Sequence, residues 1–197
     1  MSIGDQNLPA DATANVQGLP RLLARYRDPS LRRSLTEIAI TAVPLAALWA
    51  AMWALLPVSY WLSLSLAIPT AAFVVRLFMI QHDCGHGSFF RNRAINDWVG
   101  RVIGIVTLTP YDYWKRTHAT HHATSGNLDR RGMGDIDTLT VREYLARNWR
   151  GRLSYRLYRH PAVMFGLGPT YLFILQHRAP FGLMRGAGWS PWISTMA

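Results

Sequence analysis

Residues 38–75 read IAITAVPLAALWAAMWALLPVSYWLSLSLAIPTAAFVV, a run of 38 residues without a charged side chain. A helix needs about 20 apolar residues to cross the hydrocarbon core of a bilayer, so this run is long enough for two crossings. Pro57 lies at its midpoint and is the natural turn. The sequence therefore predicts a transmembrane helical hairpin, with spans at about Ile38–Leu56 and Val58–Ile80.

Basic residues flank this hairpin at both ends. Residues 21–33 contain five arginines, and residues 81–160 contain 13 Lys plus Arg against seven acidic residues. A hairpin returns the chain to its starting side, and loops rich in Lys and Arg remain in the cytoplasm. We therefore expect an integral, multi-pass membrane protein, with residues 1–37 as a cytoplasmic tail and basic segment. Two full-length uncharged runs disfavour the alternative, a buried hairpin in a soluble core.

The overall composition limits the remaining classes of function. The net charge is +10 and the pI is about 10.6, but the basic residues flank apolar runs, so we expect no nucleic-acid partner. The single cysteine excludes an internal disulfide framework and a Cys-ligated iron–sulfur cluster. The sequence contains no glycine-rich phosphate loop or dinucleotide fingerprint. If the protein performs redox chemistry, its electrons come from a separate partner.

Five of the seven histidines lie within 41 residues after the hairpin. A helix places residues three and four apart on one face, so His82 can meet His86, and His118 can meet His121 and His122. Neutral imidazole is the commonest metal ligand and suits Zn, Cu, Fe or Ni, which leaves the metal open. A zinc protease is disfavoured because the first group lacks the Glu of a His-Glu-x-x-His motif. The isolated histidines, His160 and His177, are expected to be structural.

The rest of the chain predicts further helices beside the membrane. Val99–Pro110 is too short to span and is expected to lie in the interface or pack on the site. Thr140 begins a capping box and a basic amphipathic helix that lies on the membrane, with a break expected at Gly151. The uncharged stretch at about 161–177 is predicted to be a third span. Trp189–Ala197 resembles the opening of a fourth.

Three stretches resemble the integral-membrane fatty acid desaturase family. They are Gln81-His-Asp-Cys-Gly-His-Gly-Ser-Phe-Phe90, Trp114-x-x-x-His-x-x-His-His122 and Gly132-x-Gly-Asp-x-Asp137. The resemblance is to acyl-lipid desaturases of the delta-12 or omega-6 kind. It implies an all-α fold of polytopic membrane helices, with a hairpin at about 38–80, a further span at about 161–177, and cytoplasmic histidine-bearing and amphipathic helices. Residues 38–197 would form the desaturase domain.

The resemblance also implies a set of ligands, partners and substrates. The ligands of two non-haem iron ions would include His82, His86, His118, His121 and His122. Family members take electrons from a ferredoxin or a cytochrome b5-type donor and place a cis double bond in a fatty acyl chain, here expected to be lipid-linked. The family's third histidine box has no counterpart in this sequence. We therefore expect the domain to be truncated at its C-terminus, with the remaining iron ligands beyond Ala197.

Four other residues are candidates for a role near the metals. Asp83, Asp135 and Asp137 are expected to accept hydrogen bonds from imidazole N–H groups, the alternative being solvated loop acids. Trp114 would either line the acyl path or anchor the chain at the interface. Two alternatives to a desaturase remain open. One is a related membrane di-iron hydroxylase or carotenoid oxygenase, and the other is an inactive fragment.

Overall fold

The computed structural model describes Leu23, residues 28–131 and residues 136–177. Within these ranges the secondary structure is helical, without strands, which confirms the all-α fold class. The predictions for the N-terminal tail, for Asp135 and for Trp189–Ala197 lie outside the described residues. The α-helices of six or more residues are α1 (Leu31–Leu55), α2 (Tyr60–Ser65), α3 (Ala67–Gly85), α4 (Arg93–Val106), α5 (Tyr111–Thr124), α6 (Val141–Ala146) and α7 (Trp149–Tyr158). A short 3-10 helix lies at Leu128–Arg130, and a further helical segment begins at Val163.

The predicted hairpin is present, with its turn at Pro57. Two helical stretches are long and apolar enough to cross a membrane, Leu31–Leu55 and Tyr60–Gly85. Both extend beyond the predicted spans, because α1 begins before Ile38 and α3 continues past Ile80. Apolarity marks the part of a helix that faces hydrocarbon, whereas backbone hydrogen bonding continues into the polar residues at its ends.

The second crossing is divided at Leu66, which the sequence analysis did not predict. Leu66 ends α2 and precedes α3, so that Pro69 falls in the first turn of α3. Proline is tolerated there because the N–H groups of a first helical turn have no partner within the helix. The hydroxyl of Ser63 donates a hydrogen bond to the Met52 carbonyl oxygen at 3.0 Å, which ties α2 to α1.

The surface of the hairpin is largely apolar and exposed. In the most apolar 18 residues of each crossing, 11% of the residues are buried in the first crossing and 22% in the second. Trp53 and Ile68 are 78% and 79% exposed. A helix in the core of a soluble protein would cover such side chains, since exposed apolar area in water is unfavourable. The exposure therefore favours a lipid-facing hairpin.

The two crossings are joined by a polar contact close to one end. Arg76 on α3 donates from Nη2 to Glu37 Oε2 at 2.6 Å and from Nε to Thr41 Oγ1 at 2.8 Å, both on α1. Arg76 is the first charged residue after the uncharged run 38–75, so its side chain lies where the helix leaves the hydrocarbon. The structure shows that this side chain also fixes the position of α3 against α1.

Helices α4 and α5 pack on the last turns of α3. The small buried core contains Leu77, Ile80, Cys84, Ile103 and Tyr111 from these three helices, with Leu45 from α1. The apolar stretch Val99–Pro110, predicted to lie in the interface or to pack on the site, mostly belongs to α4 and contributes to this core. The core thus fixes the position of α5 relative to the end of α3.

The basic amphipathic stretch begins with the predicted capping box. Thr140 accepts a hydrogen bond from the Glu143 N–H, and the Glu143 carboxylate accepts one from the Thr140 N–H. The predicted break at Gly151 is wrong, because the chain breaks between α6 and α7, before Asn148. Asn148 starts α7 by accepting a hydrogen bond from the Gly151 N–H at 2.8 Å, so Gly151 lies inside that helix.

The stretch predicted to be a third span is helical from Val163 to Gln176. It has an α-helical turn at Gly168–Thr170 between two π-helical pieces. Val163–Leu175 is shorter than the two crossings of the hairpin, so a third span remains a prediction. His160 Nδ1 accepts a hydrogen bond from the Ala162 N–H just before this segment, consistent with a structural role.

Candidate metal centre

The first histidine group lies at the end of α3. His82 occupies its last turn and His86 follows its last residue, so one turn of helix separates them, and their ring centroids are 4.6 Å apart. The helix ends there because Gly87 has a φ of +69°, a conformation that favours glycine. This termination places both imidazoles just past the apolar part of the crossing.

The second group lies on α5. His118 and His122 are one turn apart, and their Nε2 atoms lie 3.0 Å from each other. The His118 Nε2 atom also lies 3.2 Å from His86 Nε2, which joins the two groups. The helix spacing predicted from the sequence therefore holds in each group, and the packing of α5 on α3 brings the groups together.

Four histidines form one compact cluster. One ring nitrogen from each of His82, His86, His118 and His122 lies within 4.8 Å of all the others. A metal–imidazole bond is about 2.1 Å, so two nitrogens at right angles around one ion are about 3.0 Å apart. The two shortest distances in the cluster, 3.0 and 3.2 Å, match this spacing. The donor set and its geometry therefore fit a metal ion.

His121 lies beside this cluster rather than in it. Its ring is roughly parallel to that of His118, with centroids 5.9 Å apart, and its centroid is 5.6 Å from that of His122. His121 and His122 are consecutive residues, about 100° apart around the helix axis, so their rings leave α5 in different directions. The structure thus brings together four of the five predicted ligands and places the fifth at the edge.

The electrostatics of the cluster favour neutral imidazoles. Partial burial, together with the neighbouring histidines, lowers the pKa of His118 to about 4. The same two causes lower the pKa of His86 below its ordinary value. Because a metal ion binds the neutral form of imidazole, these shifts keep the lone pairs available near neutral pH.

Trp114 forms one wall of the cluster. Its ring stacks on the His118 ring, with centroids 4.6 Å apart and an angle of 16° between the planes, and it lies 5.9 Å from the His82 ring. A Cβ atom on Gly85 would come within 2.7 Å of this ring, so glycine is needed for the close approach. We predicted an acyl-path or interfacial role for Trp114, and the structure shows its contact with the histidines.

The three candidate acids have different surroundings. Asp83 Oδ1 lies 3.3 Å from His82 Nδ1, where it can accept a hydrogen bond from the imidazole N–H and orient the ring. The Asp137 backbone N–H donates to the Tyr158 hydroxyl, which ties this residue to α7. Asp135 lies outside the described residues. Of the three acids, Asp83 therefore has a described contact with the cluster.

A half-buried group of hydrogen-bonded side chains between α4 and α5 was missed by sequence reasoning. Asp97 Oδ1 accepts hydrogen bonds from the Tyr111 hydroxyl at 3.0 Å and from Lys115 Nζ at 2.5 Å. Tyr111 is only 2% exposed, and both donors lie on α5, whereas Asp97 lies on α4. These bonds lower the pKa of Asp97, although burial acts to raise it.

Two glycines of α4 indicate this contact in the sequence. Gly100 and Gly104 are spaced as in the small-xxx-small pattern that allows helices to approach closely. A Cβ atom on Gly100 would lie 2.2 Å from the Tyr111 ring, and one on Gly104 would lie 2.6 Å from the Thr109 carbonyl oxygen. The two glycines therefore mark where the start of α5 packs on α4.

Two apolar crossings with a histidine cluster at their end define a membrane protein with a candidate metal site. Residues 59–196 match the family model described as fatty acid desaturase, which covers 138 of the 197 residues. The chain belongs to the fatty acid desaturase family. This confirms the family that the histidine motifs indicated. No solved structure matched the chain.

Several curated relatives are similar to parts of the chain. A fatty acid desaturase of Bacillus subtilis is 45% identical over 160 residues, which cover 81% of this chain and 46% of the relative. A Synechocystis sn-1 acyl-lipid omega-3 desaturase (ferredoxin) is 47% identical over 53 residues, 27% of this chain and 15% of the relative. An Arabidopsis thaliana acyl-lipid omega-3 desaturase (cytochrome b5) of the endoplasmic reticulum is 34% identical over 92 residues, 47% of this chain and 22% of the relative. The chain thus spans less than half the length of these relatives.

Proposed function

We propose that this chain carries part of the active centre of an O2-dependent di-iron desaturase, which inserts a cis double bond into a fatty acyl chain. The observation that carries the proposal is the meeting of four imidazoles from two separate helices, directly after an apolar hairpin. The family supports the reaction class. Residues 38–197 would belong to the desaturase domain, with residues 1–37 as a tail before it.

His82, His86, His118, His121 and His122 are the proposed iron ligands. Bound iron would supply the O2-dependent oxidation that removes two hydrogens from adjacent, unactivated carbons, which amino-acid side chains cannot perform. The chain's own contribution is to hold neutral imidazoles in place. Trp114 restricts the His118 ring by stacking, and Asp83 fixes the orientation of the His82 ring by accepting a hydrogen bond from its Nδ1–H.

The location of the cluster suits an acyl substrate. The histidines lie just past the apolar end of α3, so an acyl chain needs to extend only a short way beyond the hydrocarbon to reach them. The reacting carbon–carbon bond would be selected by how far the acyl chain extends past the metals. The printed names of two relatives specify acyl-lipid substrates, which supports a lipid-linked acyl group here.

The proposed electron donor is a ferredoxin or a cytochrome b5-type protein, as in the names of two relatives. The basic residues after the hairpin would place the cluster on the cytoplasmic side, where such donors are found. They would also attract an acidic donor, which predicts reduction that slows as the salt concentration rises.

Metal and product analysis test the proposal together. The full-length protein, with the family's third histidine box present, would be purified in detergent for iron determination, then returned to lipid with reduced ferredoxin and O2 for mass spectrometry of the acyl chains. We expect bound iron and a new double bond, and both should be lost in His86→Ala. The control His160→Ala should retain both, because His160 hydrogen-bonds the backbone near the last helical segment. A product that retains oxygen would indicate a hydroxylase, and purified protein without iron would refute the metal assignment.

The same products would give the position of the double bond. The resemblance noted in the sequence is to desaturases of the delta-12 or omega-6 kind, whereas the relatives named above with a stated position are omega-3 desaturases. Acyl chains with one existing double bond distinguish the two, because the new bond is inserted at a different carbon in each case.

A further inference from the structure

A second site lies between the two crossings, on a different surface from the histidine cluster. It is a cavity of about 800 Å³ between the start of α1 and the second half of α3, with Phe89 at one side. Cavities of roughly 300–1,000 Å³ are typical of small-molecule sites. Its lining combines apolar side chains, including Val75 and Met79, with charged ones of both signs.

The cavity lies at the level where hydrocarbon meets headgroups. Pro57 marks the turn of the hairpin, 20 residues after Glu37 and 19 residues before Arg76. About 20 helical residues cross the roughly 30 Å hydrocarbon core, so the Glu37–Arg76 pair marks its boundary on the other side. Val75 and Met79 are 61% and 51% exposed, and a bilayer lipid can reach the cavity over them.

The charged side chains that line the cavity are only partly paired. Arg76 pairs with Glu37, whereas Arg33 and Asp28 have no ion-pair partner among the residues that the structure describes. Asp83 lines the same cavity, and its side chain is 53% exposed. The cavity therefore offers guanidinium groups for an anion and carboxylates for a cation. A ligand that carries both charges would satisfy both sets.

We propose that this cavity binds the headgroup of a phosphatidylethanolamine molecule from the bilayer. Arg33 and Arg76 bind the phosphate, and Asp28 and Asp83 accept hydrogen bonds from the ammonium group. The acyl chains then lie over Val75 and Met79. A primary ammonium has three N–H donors for these carboxylates, whereas the quaternary amine of a choline headgroup has none. An anionic headgroup without an amine would face the carboxylates without a partner for them.

The proposal does not depend on the metal chemistry, since it concerns a surface that the four-histidine cluster does not use. It does place a lipid next to the cluster, because Asp83 contacts both the cavity and His82. Its failure would leave the metal centre unaffected, and a metal-free protein could still bind the lipid.

Native mass spectrometry of the purified chain tests this site. The protein would be equilibrated with equal amounts of phosphatidylethanolamine, phosphatidylcholine and phosphatidylglycerol, and retained lipids would be counted. We expect one retained phosphatidylethanolamine, and about fivefold weaker retention in Arg33→Gln, from the loss of one cationic contact near the membrane surface. The matched control Arg32→Gln removes the same charge from the neighbouring position, which does not line the cavity, and should leave retention unchanged.

A second variant distinguishes a lost site from a misfolded protein. Asp28→Asn removes a carboxylate, so we expect it to shift the preference toward phosphatidylglycerol, a gain that an unfolded protein cannot show. Equal retention of phosphatidylcholine and phosphatidylethanolamine by the wild type would overturn the proposal. Preferred retention of phosphatidylglycerol, or equal losses in Arg32→Gln and Arg33→Gln, would overturn it as well.

Discussion

Replacing Gly100 with alanine tests how the protein positions its second histidine group. The new Cβ atom would lie 2.2 Å from a carbon of the Tyr111 ring, whereas ordinary van der Waals contact begins at 3.4 Å. The ring must therefore retreat by about 1.2 Å, or α4 must move away from it. Tyr111 is 2% exposed and its hydroxyl is held by Asp97, so there is little free space for this movement.

The expected loss of stability in Gly100→Ala follows from the cost of overpacking a buried contact. Such changes typically cost about 1–3 kcal/mol. In a chain of this length that corresponds to a fall in Tm of roughly 2–12 °C. Tyr111 is the first residue of α5, two turns before His118. A displacement there moves the imidazoles on α5 relative to those on α3, and metal sites require placement within about 0.5 Å.

The assay is thermal unfolding in detergent, combined with metal content. We expect Gly100→Ala to unfold at a lower temperature and to bind less metal than the wild type. Gly166→Ala is the control, since a Cβ atom there meets nothing within 4 Å among the described residues. That variant should be as stable as the wild type or slightly more stable. Wild-type Tm and metal content in Gly100→Ala would refute the argument that the close contact with Tyr111 fixes α5.

Three further predictions concern the histidine cluster, the hydrogen bonds of Asp97 that hold α5 in place, and the capping box of α6. His121→Ala should retain metal in the four-histidine cluster, whereas His118→Ala should lose it, and metal content per chain measures both. Equal loss of metal in the two variants would show that His121 belongs to the same site. Asp97→Ala should weaken metal binding about tenfold, because it removes the acceptor of two donors on α5. The control Asp112→Ala removes the acceptor of a more exposed pair with Arg101 and should have a smaller effect, and a metal titration compares the two variants. Hydrogen bonds from Arg131 and from Thr140 lower the pKa of Glu143 to about 2. The ionised Glu143 carboxylate therefore stabilises the start of α6 above about pH 4.5, and this stabilisation is lost as the pH falls toward 2. Hydrogen exchange of the α6 amides, corrected for its intrinsic pH dependence, should show this loss in the wild type but not in Glu143→Gln.

The contact between Trp114 and the histidines illustrates a limit of sequence reasoning. Trp114 precedes His118 by one helical turn, so the sequence indicates that the two side chains share a face of α5. It does not indicate that Gly85, on another helix, leaves the space that the indole occupies. Contacts between distant parts of a chain depend on how helices pack, which local spacing does not contain.

The amphipathic stretch shows a second limit. The Thr140 capping box was predicted correctly because it depends on residues only three positions apart. The break was assigned to Gly151 on the low helix propensity of glycine. The structure instead starts α7 with the Asn148 side chain, whose hydrogen bond to the Gly151 N–H stabilises the helix at its first turn.

The sequence by itself determined the apolar hairpin, the turn at Pro57 and the pairing of histidines within each helix. These features depend on hydrophobic length and helical periodicity, which are local properties. Only the tertiary structure decided that His86 and His118 approach within 3.2 Å, that His121 lies at the edge, and that a charged cavity opens between the crossings. The reason is physical: these distances arise from the packing of α3, α4 and α5 around buried side chains, where close contacts and hydrogen bonds between separate helices select one arrangement.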